Sequence, residues 1–185
     1  MQFCLLHVAM RYSLLLLCLA GAFAVRAQSW RTQFTAAQEA YQQEDYQKAK
    51  ELSLLCLESY KKEDGTASEN YASILRLVGN AHFSLEMYRD GLSYINQELT
   101  IREKDKDVSY AGALENAAQF HAAMEDFNEA VKALEKARLV LELFYRIGDV
   151  PLVLNALAIA SNCYLAGNSV RAMELFAKTF TLPIA

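Results

Sequence analysis

The sequence predicts an all-α protein, an α-solenoid of about four helix–turn–helix repeats. Three observations predict it. Breakers are scarce: 7 Gly and 2 Pro in 185 residues are too few for a turn-rich all-β design. Small residues recur at long intervals, at Ala49, Gly91, Ala130 and Ala172, spaced 42, 39 and 42 apart, and twelve positions before each stands another, Ala37, Gly79, Ala118 and Ala160. Three positions before the same anchors come Tyr46, Tyr88, Phe127 and Ser169, and five before come Glu44, Glu86, Glu125 and Gly167, where a turn is needed. A period near 40 residues marks a repeat array.

The physics of a helical pair accounts for the pattern. Two antiparallel helices joined by a tight turn approach closely only where both present small side chains, so Ala37 should face Ala49 and Gly79 should face Gly91. The aromatic near the start of each second helix fills the gap beside that contact. Apolar residues flank these positions at helical spacing, as in Leu75, Val78, Gly79, His82 and in Leu114, Ala117, Ala118, His121. One pair cannot bury its apolar face, and stacking neighbours completes the core.

Taken along the chain, residues 1–27 read as a secretory signal peptide. Arg11 precedes the apolar run Tyr12 to Ala24, which is short for a bilayer span, and the small-residue pattern Val25-Arg26-Ala27 offers cleavage before Gln28. Met10 is an alternative start, and a membrane anchor the alternative reading of the run. Export to the periplasm or medium follows, and no stable membrane insertion after cleavage is expected, since no second long apolar run exists. The repeat domain then covers 28–185, in units near 29–62, 69–104, 108–146 and 152–182. Its helices are expected at 29–43, 46–62, 69–85, 88–104, 108–124, 127–146, 152–166 and 169–181. Connectors fall at 63–68, 105–107 and 148–151, where Gly148 can end one helix and Pro151 suits the first turn of the next. The last helix carries Val170, Met173, Leu175, Phe176, Phe180 and Leu182. That is too apolar for a free end, so a second copy of the chain (a homodimer), further residues or the tail 181–185 should cover it.

Composition bounds function. Hydrophobic residues at 54% and charged residues at 22% suit a packed core. A net charge of −4 lacks the clustered cations that nucleic-acid binding needs. No metal, phosphate or nucleophile motif is present, so neither cofactor, metal nor catalysis is expected. Cys56 and Cys163 sit in helical apolar patterns about one hundred residues apart and read as buried free thiols. His82 and His121 replace packing aromatics at equivalent places, and Glu44, Glu86 and Glu125 read as turn residues spread along the array, not as convergent acid–base groups.

The stretches AAQEAYQQEDYQKAKEL, GNAHFSLEMYRDGLSYI, AAQFHAAMEDFNEAVKALEKA and AIASNCYLAGNSVRAMELF resemble the tetratricopeptide family over roughly Ser29 to Phe180. The family's usual period is near 34. These longer units are similar to the extended-helix variety found beside larger bacterial domains. The resemblance implies a right-handed superhelix and a non-catalytic module binding a partner protein or peptide in a concave groove lined by the first helix of each unit. It also implies an alternative: the sensory or docking portion of a caspase-like protease, a histidine kinase or a DNA-binding regulator. Some members clamp a partner's C-terminal carboxylate with cations and asparagines. Arg76, Asn80 and Asn116 look like part of that clamp, though Leu154 and Ala158 stand where a third unit would supply cations. Phe34, Tyr41, Phe83 and Tyr164 are the expected aromatic lining.

Overall fold

The computed structural model describes residues 30–63 and 65–180. The expected signal peptide and the tail 181–185 lie outside the described residues. Among the described residues eight helices follow one another: α1 Trp30–Gln42, α2 Tyr46–Glu63, α3 Glu69–Ser84, α4 Tyr88–Arg102, α5 Val108–Ala123, α6 Phe127–Leu141, α7 Val150–Leu165 and α8 Ser169–Phe180. No strand occurs among the described residues. Each helix packs mainly on its sequence neighbours, and α1 also touches α3. This is the nearest-neighbour packing of a solenoid.

The turn inside each pair is built the same way four times. Glu44, Glu86, Glu125 and Gly167 hold φ of 61°, 59°, 63° and 83°, the left-handed conformation that ends a helix. In the second turn the Glu86 N–H donates to the Phe83 carbonyl at 2.9 Å and the Met87 N–H to the His82 carbonyl at 2.9 Å. Equivalent pairs of bonds close the others, from Glu44 and Asp45, Glu125 and Asp126, and Gly167 and Asn168. A side chain in this conformation costs about 1–2 kcal/mol. Only Gly167 avoids that cost, and the three glutamates are held by the paired bonds. The next residue starts the second helix: Asp45 and Asn168 accept from the Lys48 and Arg171 N–H groups, each at 3.2 Å, satisfying an orphan donor.

Small residues bring each pair together. Ala37 and Ala49 are fully buried. A Cβ on Gly79 would lie 3.4 Å from the Gly91 carbonyl oxygen and 2.6 Å from Ile95 Cδ1. One on Gly91 would lie 3.0 Å from His82 Cβ within the pair and 2.5 Å from Phe120 Cε1 of the next pair. Ala118, Ala130 and Ala172 share one buried cluster with Leu134 and Ile159. Between the first two pairs the core is aromatic, with Trp30 edge-on to Tyr60 at 4.7 Å and Tyr60 beside Tyr71 at 5.9 Å. Ser53, at the place Ile95 and Leu134 hold elsewhere, is fully buried and bonds the Lys50 carbonyl at 3.0 Å.

Connections between pairs are capped by side chains. Ser68 Oγ accepts from the Tyr71 N–H at 3.2 Å, and Asp107 Oδ1 from the Tyr110 N–H at 3.0 Å. The sixth helix, expected through 146, stops at Leu141. Leu143 and Ile147 are 74% and 75% exposed: a longer helix would gain no burial there, and the chain turns instead. Asp149 Oδ2 accepts from the Arg146 N–H at 2.7 Å, Gly148 follows at φ 101°, and α7 opens at Val150 with Pro151 in its first turn.

Cys56 and Cys163, the two cysteines among the described residues, are free and buried. The Cys56 thiol donates to the Trp30 carbonyl at 3.2 Å, and burial pushes its pKa up to about 12, far from the thiolate that reactivity needs. His82 is buried, with Nδ1 2.8 Å from the Val78 carbonyl and its ring 5.3 Å from Tyr94. His121 Nδ1 lies 3.5 Å from Asp126 at the turn after its own helix.

Candidate functional site

The first helices of three successive pairs, α1, α3 and α5, bring Tyr41, Asn80, Phe83 and Asn116 together around one cleft of about 110 Å³, with Gln119 and Phe120. Repetition explains the convergence. Residues at one register on successive stacked helices fall side by side, so Tyr41 and Phe83, separated by one unit, meet the same opening. Each is braced by the aromatic that opens its own second helix. Tyr41 is edge-on to Tyr46 at 5.3 Å and Phe83 edge-on to Tyr88 at 5.2 Å, while Phe120 closes on Phe83 at 5.0 Å. Such contacts fix the rings in place. The Tyr41 hydroxyl lies 3.2 Å from Ser84 Oγ.

Arg76 is held elsewhere. Its Nε donates to Glu98 Oε1 at 2.7 Å and its Nη2 to the Ser109 carbonyl at 3.2 Å. Glu98 is fully buried and takes a second cation, Arg102 Nε, at 2.8 Å on the same oxygen. Arg102 reaches Glu69 and Ser73 at 3.4 Å each. Two guanidinium groups thus tie α3, α4 and the start of α5 around one carboxylate. The positive charge of Arg76 is spent within the protein, which leaves the carboxylate clamp without its expected cation. Phe34 packs beside the core cluster of Trp30, Cys56 and Leu57, not in the cleft. Tyr164, at the register of Tyr41 and Phe83 in the last unit, is 63% exposed and lines neither cleft.

A second cleft of about 250 Å³ lies one unit further on, between α5 and α7, lined by Glu115, Gln119, Leu154, Asn155 and Asn162 among others. The expected site omits its polar members. The available signal was a break in the repeat: Asn155 is buried where the preceding units carry Ala113 and Ile74. Among the described residues no group of His, Cys, Asp or Glu is placed to hold a metal. No described helix is long and apolar enough to cross a membrane.

No protein-family model and no curated protein matches the chain. Solved structures do. A putative kinesin light chain of nearly identical TPR-like repeats from Podosopora anserina is similar over 80% of this chain and 72% of that one, with a TM-score of 0.73 at 18% identity. BtubC (BKLC) from P. vanneervenii gives 0.76 at 14% identity over 81% of this chain and 61% of that one. The Rap conjugation gene regulator of plasmid pLS20, solved in complex with the Phr* peptide, gives 0.66 at 12% identity, over 82% of this chain and 42% of that one. The chain therefore spans less than half of that regulator. These likenesses show the fold, a solenoid of tetratricopeptide-like repeats.

Proposed function

We propose that this tetratricopeptide-like solenoid is a non-catalytic interaction module that holds an extended segment of a partner protein in the groove formed by its first helices. The carrying observation is the cleft where Tyr41, Asn80, Phe83 and Asn116 converge from three successive units. Side-chain amides both donate and accept, so Asn80 and Asn116 can pair with a peptide backbone in either sense. The two braced rings offer apolar area at low entropic cost. The Rap regulator, of the same fold, holds a peptide. The Arg11-to-Ala27 pattern supports work outside the cytoplasm. At the far end Val170 and Met173 are each 68% exposed, which supports a second contact there, with another copy of the chain or with further helices.

The test is affinity capture from the exported fraction, followed by binding with the Asn80→Ala, Asn116→Ala double variant. Two lost hydrogen bonds at about 1 kcal/mol each correspond to weakening of roughly thirtyfold, with the melting temperature held. Undiminished binding by this variant would contradict the groove reading. Arg76→Ala is not the informative change, because it disturbs the Glu98 network.

A further inference from the structure

We propose that the cleft between α5 and α7 is a cation subsite that takes a guanidinium or ammonium group on an aliphatic stem, the side chain of an arginine or lysine in the bound segment. The proposal rests on the groove reading above and specifies its ligand. Apart from the Gln119 amide, which can both donate and accept, the polar wall of the cleft offers oxygen. Glu115 is half-buried and makes no ion pair among the described residues; Asn155 Nδ2 donates to its Oε1 at 3.2 Å and to the Leu134 carbonyl at 3.1 Å. Both partners are acceptors, so the amide cannot be turned round, and Asn155 Oδ1, in a residue only 2% exposed, is left without a hydrogen-bond partner among the described residues. Asn162 repeats the arrangement: its Nδ2 donates to the Ala158 carbonyl at 2.9 Å, and its buried Oδ1 has no partner among the described residues. Unpaired buried carbonyl oxygens and a carboxylate make a negative potential, strengthened by low-dielectric surroundings. Among the described residues no Lys, Arg or His lines the cleft to offset it. The rest of the wall is Gln119, Leu134, Leu154 and alanines, and its apolar part suits the methylene stem of a long cationic side chain. Covered as they are, the two amide oxygens act mainly through their field, and Glu115 is the group open to direct pairing.

The experiment uses the ¹⁵N-labelled full chain and follows the Asn155 and Asn162 side-chain amide resonances. The probes are n-butylguanidinium, n-butylammonium, n-butanol and butanoate. The two cations should shift these resonances at concentrations at least tenfold below n-butanol, with no saturation by butanoate, and Glu115→Gln should remove most of that preference. Equal response to n-butanol, or an unchanged preference in Glu115→Gln, overturns the proposal. A second arm compares acetyl-Gly-Ala-Arg-Ala-Gly-amide, the same peptide with norleucine for Arg, and spermidine. Tighter binding of the Arg peptide supports a peptide source, and tighter binding of spermidine overturns that source in favour of a free amine. Equal binding of both peptides along the groove overturns the cation subsite while the groove reading stands. Response to n-butylguanidinium with no peptide binding sustains the subsite and removes the groove reading.

Discussion

Glu98→Ala should destabilise the fold by about 3–5 kcal/mol, the range for removing one partner of a buried ion pair. Glu98 has no exposure and holds two guanidinium groups on one oxygen. Its loss strands Arg102, itself only 7% exposed, with a distant and largely exposed Glu69 as its remaining charge partner. Arg76 is one-third exposed and can turn partly to water, so most of the cost falls on Arg102. For a fold of this size the change corresponds to a fall in melting temperature of roughly 10 °C. The triple replacement Arg76→Leu, Glu98→Leu, Arg102→Leu should recover much of the loss, since a packed apolar set often matches a buried ionic one. Urea unfolding of the variants decides the matter. A Glu98→Ala midpoint equal to that of the unaltered chain would show that the network contributes nothing.

Gly91→Leu should cost about 3 kcal/mol, and Gly79→Leu roughly 1–3 kcal/mol, both by overpacking. The order follows from what each side chain meets. At Gly79 the first obstacle is the tip of Ile95, which can change rotamer. At Gly91 it is the Phe120 ring, 1% exposed and held edge-on by Phe83, with His82 Cβ at 3.0 Å behind it. Even alanine at 91 sets its helix-propensity gain of about 1 kcal/mol against that ring. Thermal melts of the two leucine variants check the ranking. A Gly91→Leu variant melting with the unaltered chain would mean that Phe120 and His82 do not close on Gly91, and one melting above Gly79→Leu would overturn the ranking.

The repeat made most of the fold legible. A position that occurs four times under one constraint announces the constraint: Glu44, Glu86, Glu125 and Gly167 marked the turns, and all four take positive φ. The small-residue pairs marked the helix contacts in the same way. Positions that depart from the repeat were harder to read. Glu98 occupies a buried register held by Cys56 and Ala137 in neighbouring units, and hydropathy alone puts a glutamate on the surface. That departure redirected Arg76, whose spacing from Asn80 suggested a ligand clamp but whose charge partner lies on α4. Phe34 shares the register of Arg76 one unit earlier, and beside Trp30 it closes the core instead of the groove. Tyr41 and Phe83 came together because register on successive first helices survives stacking, and Asn80 and Asn116 reach the same opening from other registers. Glu115, Asn155 and Asn162 escaped notice because they depart from the repeat, and a departure shows only as a break in the pattern. The early end of α6 was hidden because Leu143, Phe144 and Ile147 continue an apolar pattern that no neighbouring helix covers.

The most direct test of the groove as a partner-binding surface is a side-chain amide spectrum of the ¹⁵N-labelled chain, titrated with the binding segment of its captured partner. The Asn80 and Asn116 amide resonances should shift and saturate together. Side-chain amides exposed on the second helices, at Gln47, Gln97 and Asn128, should stay where they are. Shifts confined to those second-helix positions, with Asn80 and Asn116 unmoved at saturation, would contradict the account.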